Sequence, residues 1–246
     1  RAGELTAVWV PDEAHEAMRD LVRARAAAMK LLGKSRQHLQ GFLLRHGRIY
    51  PGKKGWTKAY RRWLTTVRFG NPAQQIVFQD FVDAVTDAEA RVQRLTDQIA
   101  AQLPDWSLAP VVEAVQAMRG VAFIVAVTVG RGRRLQPVQQ SASVDGLSGA
   151  DAVGSVERGE LARRALIEGA WSYRMQPRVS RKLYDRLETL PKSVRDIAWN
   201  GQLRMCRRYR HLMAAGKPKV VTTTAIAREM VGFIWAIARQ VAPAPA

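Results

Sequence analysis

A single cysteine, Cys206, stands in the 246 residues, which excludes a disulfide framework and any cysteine-based metal centre. The four histidines, His15, His38, His46 and His211, are scattered and share no metal-ligand spacing. No Ser-His-Asp order and no Gly-rich phosphate loop is present, so spacing alone names no catalytic site. No run of about 18 apolar residues marks a membrane span, and no charged-then-apolar leader marks a signal peptide. Acids are scarce, 21 Asp and Glu against 39 Lys and Arg. They fall at a helix start (Asp12, Glu13) or along a helix face (Asp80, Asp83, Asp87, Glu89). Metal-dependent phosphoryl transfer needs several carboxylates converging on one or two divalent ions, whereas Glu89 with Arg91 and Arg94 reads as a solvated ion-pair face. These absences place the chain in a reducing compartment, away from membranes.

What the chain does have is positive charge, a net +18 with a pI near 11.1. Such an excess favours polyanions, because each phosphate contact releases counterions. Two clusters concentrate it. "KKGWTKAYRRW" interleaves Lys53, Lys54, Lys58, Arg61 and Arg62 with Trp56, Tyr60 and Trp63. "RMCRRYRHLMAAGKPK" gathers Arg204, Arg207, Arg208, Arg210, Lys217 and Lys219 around one predicted helix end. Cations hold backbone phosphates and aromatics can stack unpaired bases, which suits RNA or single strands. The alternative is that the aromatics form a small core and the cations are merely solvated.

Hydrophobic content of 47% is enough for a core. The pattern reads as mostly α, in two domains. "LTAVWVP" is a short extended piece ended by Pro11. Asp12 caps a helix over 13–45 with a small seam at Ala14, Ala17, Leu21, Ala24, Ala28, Leu31, Ser35, His38 and Phe42. A basic, aromatic connector fills 47–70. A second helix over 72–102 carries Phe78, Phe81, Val85, Ala88, Val92, Leu95 and Ile99 at alternating steps of three and four, the seam of a coiled coil. Residues 12–103 therefore form a long antiparallel helical hairpin, open to self-association along its exposed length. "LPDWSLAP" breaks the chain. Over 104–129 a helix, a turn at Arg119-Gly120 and an apolar helix resemble a helix-hairpin-helix element, whose hairpin N–H groups can hold a phosphate. Ala122 stands where such hairpins commonly have a second glycine. Helices resume in 159–246. The last carries Ile226, Met230, Phe233, Ile234 and Ile237 on one face, and "APAPA" frays.

One stretch fits nothing: "GRGRRLQPVQQSASVDGLSGADAVGSV" has no apolar period and reads first as a disordered linker. Its neighbours are more telling. "RAGELTAVWVPDEAHEAMRDLVRARAAA", "FLLRHGRIYPGKKGWTKAYRRWL", "PAQQIVFQDFVDAVTDAEARVQRL", "ARRALIEGAWSYR" and "LPKSVRDIAWNGQLRMCRRYRHLMAAGKPKVVTTTAIAREMVGFIWAIAR" resemble, continuously and in order, the IS110/IS1111 group of insertion-sequence transposases.

That resemblance implies an N-terminal RNase-H-like domain with four metal-binding acids of a DEDD set, a coiled-coil hairpin, and a helical C-terminal transposase domain with a nucleophilic serine. It also implies DNA recombination guided by a structured RNA. Within this frame residues 1–11 are a remnant of the RNase-H-like domain. The family's last two acids precede the text matching Arg1, so none of the four is carried over. Magnesium belongs to intact members, and no cofactor is expected in this chain. The serine stretch falls where 130–158 stands. One codon choice for Gly130–Gly154, read one base later, spells AEVGDFSRFSNPRQLMAYLGLTPS, similar to the family's "AEIGD…RF…P.QL.AY.GL.P". Residues 130–158 thus read as out-of-frame and disordered, and Ser141, Ser143, Ser148 and Ser155 as serines by accident. In a genuine variant loop, Ser155 would serve instead.

The expected function is that of a transposase fragment, catalytically inactive by itself, in a prokaryotic cytoplasm and associated with the nucleoid. Its partners would be DNA (element ends and target), a structured guide RNA, and another copy or an intact transposase through 12–103, with no membrane. Nucleic acid is expected on Lys53, Lys54, Lys58, Arg61, Arg62, Arg119, Gly120, Arg163, Arg164, Arg204, Arg207, Arg208, Arg210, Lys217 and Lys219. The alternatives are a basic helical RNA- or DNA-binding protein and a dimerising regulator of an intact transposase.

Overall fold

The computed structural model describes residues 12–130 and 149–241, all helix and connection. The extended piece before Asp12, the bulk of the unpatterned stretch and the terminal "APAPA" lie outside them. The chain divides into two compact units, 19–101 and a second in which 12–18 cluster with the residues from 102 on. The hairpin unit thus starts a few residues later than the expected boundary at 12.

In the hairpin unit, α1 (Glu13–Arg45) and α3 (Pro72–Gln102) run antiparallel, with α2 (Lys58–Thr66) between them. Each boundary has a local cause. Asp12 Oδ1 accepts from the His15 backbone N–H at 2.7 Å, and Asn71 Oδ1 from that of Ala73 at 2.9 Å, ahead of Pro72. Gly47, at φ +65, ends α1. There Arg48 N–H bonds to Leu43 O and Gly47 N–H to Leu44 O, the two bonds of a Schellman motif. α2 was not expected inside the connector, although Tyr60, Trp63, Leu64 and Val67 recur there at helical spacing; Thr57 caps it by accepting from Tyr60 N–H at 3.2 Å.

The seam of α3 faces inward as spaced, with Phe78, Val85 and Ile99 buried and Phe81, Ala88, Val92 and Leu95 half-buried. On α1 the seam differs from expectation. Val22, Ala28, Leu32, Leu39 and Phe42 are buried, whereas Leu31 is 49% exposed and His38 is on the outside. The two registers share Ala28, Ser35 and Phe42, and the larger Leu32 and Leu39 win the interior because they fill the space between helices. Cross-helix pairs fix the alignment: Arg25 Nε donates to Thr96 Oγ1 at 2.8 Å, and the Phe42 and Phe81 rings lie 5.6 Å apart. Burial pulls the Arg25 guanidinium below its ordinary value.

The second unit is a helical bundle of α4 (Ala109–Val115), α5 (Phe123–Gly130), α6 (Gly149–Ala170) with a 3-10 turn at Trp171–Arg174, α7 (Arg181–Leu187), α8 (Lys192–Ala214) and α9 (Lys219–Ala238). α8 and α9 pack along their lengths, and α6 and α4 lie on α9. The predicted face of α9 is the core: Ile226, Met230, Ile234 and Ile237 have no exposure. Each contributes about 2 kcal/mol by leaving water. α9, at a mean hydropathy of 1.4, is long and apolar enough to cross a membrane, yet Lys219, Arg228 and Glu229 interrupt it, so it is no unbroken apolar run. One face of it is buried in the bundle, while Val220, Val221 and Val231 stay exposed.

A further correction concerns 149–158. These residues, expected to be disordered, are the opening turns of α6. Their text, "GADAVGSVER", has no proline and continues into the strong helix formers of "GELARRALIE", so the helix extends back through it.

The turn after α4 explains its glycine. Gly120 has φ +85, and its backbone abuts Gly169 of α6 so closely that a Cβ on either would strike the other's carbonyl. Close approach of two backbones is what both glycines supply.

Candidate nucleic-acid interface

The hairpin turn is built around aromatic rings. Tyr60 is 4% exposed and meets Tyr50, Trp56 and Trp63 at centroid distances of 5.1 to 5.5 Å. Phe69 continues the cluster against Phe42 and Phe78. Between the two sequence-level alternatives, these contacts favour aromatics as a small core over aromatics as platforms for bases. Burial raises the Tyr60 hydroxyl above its ordinary value, which keeps it neutral.

The expected cations of this segment are exposed, but not equally available. Arg61 Nη2 lies 2.6 Å from both oxygens of Glu89, and Arg36 Nη2 lies 2.7 Å from one of them. Arg36 also sits 4.7 Å over the Trp56 ring. Glu89 is therefore a bridge joining α1, α2 and α3, not the solvated face expected from its neighbours. Burial pushes its carboxyl up, but the hydrogen bonds from Arg61 and Arg36 prevail and hold it below the usual value. Lys53, Lys54, Lys58 and Arg62 have no carboxylate partner among the described residues.

Arg48 and Arg68 belong to the same turn and were not singled out, because they stand at opposite ends of the connector. Arg48 Nη2 donates to Arg68 O at 3.1 Å, and Arg68 Nη1 donates to the carbonyls of Thr65 and Val67 at 2.8 Å. Folding brings the two onto the C-terminus of α2, where cations offset the helix dipole.

In the second unit the expected residues divide further. Glu229, with a side chain 10% exposed, receives hydrogen bonds from Arg204 Nε and Arg208 Nη1, so these two arginines bind α8 to α9. Arg207, Lys217 and Lys219 are exposed without a carboxylate partner among the described residues. Arg210 donates to Cys206 O at 3.3 Å, and Arg119 to Gln176 O at 2.7 Å. Both oppose, without reversing, the upward push of burial on the Cys206 thiol, so folding draws Arg119 and Arg210 toward one buried group. Gly120 lies in the same turn. Arg163 and Arg164 are exposed on α6, Arg164 pairing with Glu168 at 3.1 Å. No three His, Cys, Asp or Glu side chains among the described residues gather as a metal site.

The chain is similar to known transposases. It is 47% identical over 253 residues to "Putative transposase y4qE" of Sinorhizobium fredii, a match that covers 98% of this chain and 62% of that protein. It is 26% identical over 222 residues to "Transposase for insertion sequence element IS1533" of Leptospira borgpetersenii, covering 84% of this chain and 64% of that one. The chain thus spans somewhat under two thirds of the length of either relative. No protein-family description and no solved structure matches it.

Proposed function

We propose that the chain is a nucleic-acid-holding part of an insertion-sequence transposase of the IS110/IS1111 type, acting on element ends and target DNA together with a structured RNA. The observation that carries this reading is the display of Lys53, Lys54, Lys58 and Arg62, free of carboxylate partners among the described residues, on a rigid aromatic core. Homology to proteins named as transposases supports it. In this proposal strand cutting and joining require groups other than those described here, so the chain alone binds DNA without joining it under magnesium. Self-association through the hairpin belongs to the same proposal, and Leu31, Leu44 and Ile76 leave apolar surface for it, at 49%, 67% and 69% exposure.

Binding titrations across salt concentrations test the central claim. Log affinity should fall linearly with log salt, and replacing Lys53, Lys54 and Arg62 together by Ala should flatten the slope by roughly one per cation removed. An unchanged slope would remove these residues from the interface. Preference for generic RNA over element-derived RNA and DNA ends would favour the plainer reading of a basic helical RNA-binding protein.

The out-of-frame reading of 130–158 is part of the proposal as well; the helix over 149–158 bears on its expected disorder and not on its reading frame. It predicts that the genomic DNA under these codons, read one base later, spells the family text. A shifted frame without that text would make the segment a genuine part of the protein and Ser155 worth replacing.

A further inference from the structure

A cavity of about 350 Å³ lies between α7 and the first half of α8. Leu183 and Leu187, one turn apart on α7, form its apolar wall, and Ala117 from the turn after α4 contributes to its lining. The opposite wall is one face of α8, where Lys192, Arg195, Asp196, Trp199 and Gln202 recur at helical spacing. None of these five was singled out from the sequence, because they form no dense basic cluster and no catalytic motif includes them.

Three features of this wall point to one kind of occupant. Gln202 is 2% exposed; its Nε2 donates to Arg178 O at 3.2 Å, while its Oε1 is buried with no hydrogen-bond partner among the described residues. A buried amide oxygen left without a donor costs free energy that a ligand N–H would recover. Trp199 lines the cavity and is 40% exposed, so its indole is accessible to a ligand there. Lys192 and Arg195 are exposed and lie 4 to 7 residues before that indole on the same helix face, with no carboxylate within pairing distance among the described residues, Asp196 included.

We infer that this cavity takes an unpaired nucleobase carrying an exocyclic amine, from a strand whose phosphates lie on Lys192 and Arg195. A base is a planar ring that stacks on indole and leaves water readily between leucine side chains. Its amine supplies the donor that Gln202 Oε1 lacks, with Asp196 a second acceptor in the lining. The cations at the mouth match the phosphates that flank any base in a strand. The inference rests on the reading of the chain as a nucleic-acid binder, and deepens it from backbone contact to recognition of single bases.

The test uses the whole chain with a short single strand carrying 2-aminopurine, and a duplex of the same sequence as reference. Binding of the single strand should change the 2-aminopurine fluorescence. Trp199→Ala should weaken single-strand binding about tenfold, with Trp199→Phe retaining most of it and duplex affinity unchanged in both. Thermal unfolding of the two variants confirms that the bundle persists. If the wild-type chain binds neither polymer, the parent reading fails. If it binds both and Trp199→Ala leaves single-strand affinity intact, or lowers both affinities equally, the base-binding cavity fails alone.

Discussion

Gly120→Ala is expected to destabilise the second unit by about 3 kcal/mol, and Gly169→Ala by about 2 kcal/mol. At Gly120 two costs add. The residue sits at φ +85, where a Cβ is strained, and that Cβ would strike the Gly169 carbonyl. At Gly169 the backbone is helical and only the collision remains, with a Cβ 2.6 Å from the Gly120 carbonyl oxygen. A rigid carbonyl cannot yield as a side-chain end could. Gly232 in α9 supplies the contrast, since a Cβ there meets nothing within 4 Å. Gly232→Ala should therefore stabilise the same unit, by about 0.5 to 1 kcal/mol from helix propensity. Chemical unfolding followed by far-UV circular dichroism measures all three. A Gly169→Ala protein as stable as wild type would refute the backbone contact.

Replacing Glu89 by Gln should cost about 2 kcal/mol in the hairpin unit. The side chain is 23% exposed and holds two guanidinium groups, Arg36 at 30% and Arg61 at 46% exposure. Solvent screening discounts the Arg61 share, although Arg61 meets both carboxylate oxygens; Arg36 is also stacked on Trp56. Because the folded protein holds the Glu89 carboxyl below its ordinary value of 4.5, its contribution is complete above that pH. It is lost as pH falls through the lowered folded value. The wild-type hairpin should thus lose stability in acid more steeply than Glu89→Gln. Parallel acid profiles of the two proteins would overturn the bridge.

Both of these predictions turn on residues whose roles the sequence leaves hidden. Helix limits such as Asp12 and Pro72 were legible because they are written locally, in residues that start a helix without a partner from elsewhere. The α3 seam was legible because its large apolar residues recur in one register. The α1 seam was not, since alanine and leucine occupy two neighbouring registers and only the opposing helix selects between them. Glu89 reads as an ordinary surface acid until α2, a short helix inside the connector, delivers Arg61 to it. Cation clusters stand out in a sequence. Which cations are spent on Glu89 and Glu229, and which stay available to phosphates, depends on tertiary pairing alone.

The end of α8 carries a last implication. Gly216, at φ +73, closes α8 with Lys217 N–H on Leu212 O and Gly216 N–H on Met213 O, and Pro218 then starts α9. The pair is thus joined by a corner a few residues long, with its direction set by the backbone of that corner. Contacts so near in sequence have low contact order and form on a microsecond scale, without the entropic delay of closing a long loop. α8 with α9 is accordingly the natural nucleus of its unit. α4 and α6 then pack onto a surface that α8 and α9 have already formed.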